Sequence, residues 1–201
     1  MDPDAYLCQL AEIFNGISVN TPSLSAIIAI ILAGLLLLAS GFASASEIAF
    51  FSLSPSDLND IEEGNHPSDG KISNLLADSE RLLATILITN NFVNVTIIML
   101  CNFFFMNVFV FHSPLAEFLI LTVILTFLLL LFGEIMPKIY SAQKTLAFCR
   151  FSAPVIYVLR KVFAPISAVL VHSTAFLNKH FAKKNHNISV LSLIHIAEPT
   201  R

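Results

Sequence analysis

From Leu24 to Leu53 the sequence is almost continuously apolar, and it becomes so again over Leu82–Phe111 and Leu115–Met136. About 20 consecutive apolar residues cross a bilayer as a helix, and inside a bilayer every backbone N–H and C=O needs a protein partner. Three such runs predict an all-α membrane protein with three transmembrane helices. The composition agrees. Of the 201 residues, 56% are hydrophobic, above the roughly 45–50% of a soluble domain even with glycine counted. A cleaved signal peptide is the rival reading of the first run, because Ala43-Ser44-Ala45 has a small-x-small form. Such a peptide needs a basic leader and a short apolar core, and this stretch has neither.

The net charge of −3 and the lack of a basic stripe with interleaved aromatics give no reason to expect nucleic acid. Cys8, Cys101 and Cys149 are too widely spaced for a metal motif and read as free thiols. No Ser/His/Asp or Cys/His set lies near a span. His112, His172, His180 and His186 fall in links or basic segments, so the chain does not read as an enzyme.

Between the first two spans, Ser54-Pro55-Ser56-Asp57 has the form of a helix start, with an N-cap serine, a proline and a first-turn acid. A turn cluster follows over Gly64–Gly70, and then a short amphipathic helix leads to the second span. Residues 138–184 have apolar runs cut by Arg150, Pro154, Arg160-Lys161 and Pro165. Basic residues within apolar helices predict amphipathic juxtamembrane helices at the interface; a fourth span would place Arg160-Lys161 near mid-bilayer at several kcal/mol. Lys and Arg are absent before the first span and from the link at 112–114, but concentrated in the first loop and after Pro137. That asymmetry predicts residues 1–23 outside and the C-terminal side in the cytoplasm.

Polar groups inside a membrane are candidates for function. Ser40, Ser44 and Glu47 share one helical face by their spacings of four and three. Serines there also serve simply to bond the backbone or pack a helix interface, and Glu47 fits a cytoplasmic boundary. Asn90 and Asn94 share a face on the second span, with Asn91 beside them; interhelical hydrogen bonding is their structural alternative. The third cluster is Gly133-Glu134-Ile135-Met136-Pro137-Lys138. Pro137 has no N–H for the Gly133 carbonyl, so a bare carbonyl stands next to a carboxylate on a broken membrane helix. A helix simply ending at the interface is the alternative. Together these groups offer hydroxyl, amide, carbonyl and carboxylate oxygens without thiolate or imidazole, a set suited to Mg²⁺ or Ca²⁺.

The strings Ser40–Phe50, Leu82–Asn94 and Phe132–Lys138, in that order, resemble the transmembrane domain of the CNNM/CorC family over roughly residues 20–190. The opening Met1-Asp-Pro-Asp and the details between motifs look most like the gliding-motility-associated GldE branch. The resemblance implies a transmembrane domain over 24–190 in a homodimer in the bacterial inner membrane, with cytoplasmic CBS modules and a corC/HlyC-type domain beyond it. It implies a Mg²⁺ transporter, an exporter, with the ion bound as cargo by Ser40, Ser44, Asn90 or Asn94, the Gly133 carbonyl and the Glu134 carboxylate. Pro137 would break the helix, and Glu47 and Lys138 would support the site. Thr89 stands where the family often has glycine. The GldE branch also implies an alternative, a non-transporting membrane scaffold or regulator of a gliding-motility or secretion machine. Residues 191–201, LSLIHIAEPTR, resemble a translated sequencing adapter, which predicts a fragment cut off before the CBS modules.

Overall fold

The computed structural model describes residues 18–110 and 114–172. A two-residue strand, β1 (Ser18–Val19), precedes α1 (Leu24–Phe51). Ser23 caps α1 by accepting from the Ala26 N–H at 3.3 Å. At ~1.5 Å per residue its 28 residues reach about 42 Å, more than the ~30 Å hydrocarbon layer. The chain continues through α2 (Pro55–Glu62) and α3 (Asp69–Leu76) into α4 (Ser79–Val108) and strand β2 (Phe109–Val110). The third helix starts as α5 (Pro114–Leu128), widens into a π-helical stretch over Leu129–Ile135, and resumes as α6 (Met136–Gln143). It is followed by α7 (Thr145–Val162) and, after a 78° bend, α8 (Ala164–His172).

Among the described residues three helices are each long and apolar enough to cross a membrane, Leu24–Phe51, Ser79–Val108 and Glu117–Gln143, and the bent pair α7–α8 meets the same measure taken together. The outward faces of the three are those of lipid-exposed helices, with Ile28, Ile31, Leu35, Leu38, Phe92, Met99, Val123 and Phe127 exposed. α1 changes character along its length. Towards its start only alanines 26, 29 and 33 are buried, whereas Ser40, Gly41, Ala43–Ser46, Ala49 and Phe50 are all buried. That second half is the axis around which α4, the π-stretch, α6 and α7 pack. At the opposite end β1 and β2 pair antiparallel, Ser18 with Val110 and Val19 with Phe109.

The remaining helices form a belt across the other end of the bundle. α2 begins with a reciprocal capping box: the Asp57 N–H donates to Ser54 Oγ at 3.2 Å and the Ser54 N–H donates to the Asp57 carboxylate at 2.9 Å. Ile61, Ile72, Leu75, Cys149, Ala153 and Ile156 join Phe50, Leu82 and Ile86 in one core that fastens the belt to the spans. The Arg150 guanidinium forks onto the fully buried Asp69 carboxylate at 2.8 and 3.1 Å. Arg160 donates to the Asn74 carbonyl at 2.9 Å. These bonds tie α7, an amphipathic helix, to α3 in the polar segment between the first two spans. The third helix runs past Pro137 to Gln143, further than a stop at Met136 with interfacial helices from 138. Pro137 falls directly after the π-stretch, which absorbs it so that the helix continues, and the belt helix starts only at Thr145.

The Arg150 hydrogen bonds hold the Asp69 carboxyl below its ordinary value of 3.8. A carboxylate lowered on folding adds stability above its unfolded pKa, and that stability disappears as pH falls through the folded value. Thermal unfolding of the wild type is therefore expected to lose its Asp69 contribution below about pH 4. Asp69→Asn should lower the midpoint by several degrees at pH 7 and flatten this acid limb, read by scanning fluorimetry across pH.

Candidate cation site

Helical spacing brings the polar faces of α1 and α4 together. The Ser40 hydroxyl donates toward Asn90 Oδ1 at 2.9 Å and Asn94 Oδ1 at 2.6 Å, and Ser44 Oγ lies 3.5 Å from Asn90 Oδ1. Ser40 and Ser44 are fully buried and both asparagines are half-buried. Ser40 can give its one proton to Asn94 while Ser44 gives its own to Asn90, so two hydroxyls pair with two amide oxygens. Four neutral oxygens thus meet where α1 faces α4.

The third helix completes the enclosure. A Cβ on Gly133 would stand 3.1 Å from Ser40 Oγ, so the glycine lets the π-stretch touch the hydroxyl cluster. In the π-register the Met136 N–H bonds the Leu131 carbonyl. Residue 137 would serve Phe132 in that register or Gly133 in the α-register, and proline serves neither. The distortion expected near Gly133 is thus a π-turn, in which Pro137 withholds one backbone hydrogen bond. A Cβ on Gly41 would meet Pro137 Cγ at 2.9 Å and the Phe132 oxygen at 3.3 Å. Gly41 therefore sets how closely the turn approaches α1. Glu134, next along the chain from Gly133, is half-buried and has no hydrogen-bond or ion-pair partner among the described residues.

Other polar residues have separate roles. Glu47 pairs with Lys138 Nζ at 3.1 Å, tying α1 to α6 beyond the cluster. Asn91 and Asn102 are exposed, and the exposed Asn107 donates to the Phe103 carbonyl. Thr89 is buried and donates to the Thr85 carbonyl at 2.8 Å, so its hydroxyl is satisfied within α4. Two contacts have no counterpart in the sequence reading. The buried Ser141 hydroxyl donates to the Ala45 carbonyl at 2.7 Å, and Asp69 pairs with Arg150. Ser141 lies four residues after Pro137 on one helical face, a spacing that could have flagged it.

Among the described residues no three His, Cys, Asp or Glu side chains gather as a metal-binding group. The oxygens that converge are neutral, two hydroxyls and two amide carbonyls, and Glu134 follows Gly133 in the chain. Oxygens of this kind suit a small hard cation.

The Gly41 contact can be tested against an internal control. Gly41→Ala should cost about 1–3 kcal/mol through overpacking against Pro137. Gly34→Ala, with nothing within 4 Å of its Cβ, should be neutral or slightly stabilising. Thermal unfolding in one detergent reads both; equal effects would remove the close-packing account.

Residues 30–198 match the family described as CNNM, the cyclin M transmembrane N-terminal domain. The chain is also similar to a UPF0053 protein of Haemophilus influenzae, 32% identical over 130 residues that cover 65% of this chain and 30% of that relative. The match thus spans less than a third of the relative's length. The family profile covers the first span from residue 30 on, the other two spans, the serine–asparagine cluster and the Gly133–Pro137 turn, and on that match the chain belongs to the CNNM transmembrane-domain family.

Proposed function

We propose that this domain carries a divalent cation of the Mg²⁺ type across the membrane as an exporter, through a site made by Ser40, Ser44, Asn90, Asn94, the Gly133 carbonyl and Glu134. The observation that carries this reading is the convergence of two serine hydroxyls and two amide oxygens between α1 and α4, at 2.6 to 3.5 Å. Neutral oxygens gathered in this way are the ligand type of a small hard cation. Glu134, without a hydrogen-bond or ion-pair partner among the described residues, supports the reading as a further oxygen ligand on the third helix. Membership of the CNNM family agrees with cation transport. The protein acts as a homodimer in the bacterial inner membrane, with its N-terminus outside.

The 2.6 Å bond from Ser40 to Asn94 favours a second reading, in which the cluster is a permanent interhelical lock in a non-transporting scaffold of the gliding-motility GldE type. Flux separates the two. In proteoliposomes carrying the full-length protein, Mg²⁺ movement read by an entrapped indicator should fall at least tenfold in Glu134→Ala and Ser40→Ala. Pro137→Ala should weaken ion binding although residue 137 offers no ligand, because it returns an N–H to the turn. Flux equal to wild type in all three variants would leave the scaffold reading.

The proposed orientation has its own measurement. Reporters fused at residues 2 and 185 should lie on opposite sides of the inner membrane. Both on one side would mean that α7 and α8 cross together as a broken span.

A further inference from the structure

Two open hollows lie along the outer surface of the α1–α6 seam. One, of about 240 Å³, is lined by Leu38, Gly41, Phe42, Phe132, Pro137 and Tyr140 among others. The next, of about 280 Å³, is lined by Tyr140, Lys144, Ala147, Phe148 and Phe151. They share Tyr140 and Phe148, so they adjoin end to end along one groove on this face. Phe42, Phe148 and Phe151 wall it as a mutual aromatic triad with ring centroids 5.9–6.0 Å apart.

The groove is apolar at its span end and cationic at its belt end. Lys144 is exposed and has no ion-pair partner among the described residues, whereas Lys138, Arg150 and Arg160 each have one. It is also the hinge residue, with φ −136° and ψ 52°, where the chain leaves the third span and enters the belt. The change from spanning helix to interfacial helix marks the level of the headgroups, and Tyr140 one turn earlier is the aromatic type that settles there. From Lys144 the groove leads into the hydrocarbon region as far as Leu38. Its floor is Gly41, Phe132 and Pro137, the contact that sets the π-turn against α1.

We propose that this groove binds one anionic glycerophospholipid, its phosphate on Lys144 and an acyl chain along Gly41, Phe132 and Pro137. Charge complementarity selects the headgroup, since an unpaired ammonium at headgroup depth gains from a net-negative lipid and little from a zwitterionic one. The acyl chain fills the hollow that the seam leaves open. A lipid seated there braces Pro137 from outside while Gly41 holds it from inside. The inference does not depend on cation transport, and its test uses no flux measurement.

The experiment is native mass spectrometry of the purified chain after incubation with phosphatidylglycerol or phosphatidylcholine. The wild type should retain phosphatidylglycerol at least several-fold over phosphatidylcholine. Lys144→Gln should abolish that preference. Ala147→Trp, which fills the groove and keeps the lysine, should reduce retention of both lipids. Lys71→Gln, on the exposed surface of α3, should behave as wild type. Equal retention of the two lipids by the wild type, or an unchanged preference in Lys144→Gln, would overturn the proposal. So would disulfide formation between two copies carrying Tyr140→Cys, because a second copy would then occupy the groove.

Discussion

The close approach of the third helix to α1 is the contact on which the remaining geometry rests. Two glycines permit it from opposite sides: Gly41 receives the Pro137 ring, and Gly133 receives the Ser40 hydroxyl. Helices in a bilayer gain nothing from hiding apolar surface from water, so dispersion at short range and interhelical hydrogen bonds must hold them together. Both operate at this seam. The Ser141 hydroxyl reaches the Ala45 carbonyl and Lys138 reaches Glu47 on the same two helices. Moving the π-turn outward by even one methyl group would separate Gly133 from the cluster.

The belt solves a different physical problem. Its helices α2 and α3 are short and polar, and α7 is amphipathic. They are stabilised by burying Ile61, Ile72, Leu75 and Ile156 against the ends of the spans, and by a guanidinium fork that satisfies a carboxylate removed from water. Because Phe50 and Leu82 belong to this same core, the belt is mechanically continuous with the two helices that carry the serine and asparagine faces.

Much of this was legible in the sequence because membrane helices leave few ambiguities. Run length marks the three spans, helical spacing places Ser40 with Ser44 and Asn90 with Asn94, and the proline rule locates a distortion near Gly133. What was not legible depends on register between helices. Nothing local states that Asn90 and Asn94 converge on the same hydroxyl, or that the helix absorbs Pro137 through a π-stretch and continues to Gln143. The Asp69–Arg150 pair joins residues 81 positions apart, and either side chain alone reads as an ordinary surface charge. Periodicity reports which face of a helix is polar, whereas pairing between faces is a property of the assembled bundle.

The charge balance at the cluster has a consequence for energetics. Its converging ligands are neutral, and the neighbouring Glu47–Lys138 pair is neutral as a unit. Each elementary charge moved across the full membrane potential is worth about 2.3 kcal/mol per 100 mV. The cluster by itself is thus almost indifferent to voltage, whereas a dication entering the seam between α1 and the third helix would bring its two charges into the membrane field, and the net charge of a full cycle would be set by the ion exchanged for it.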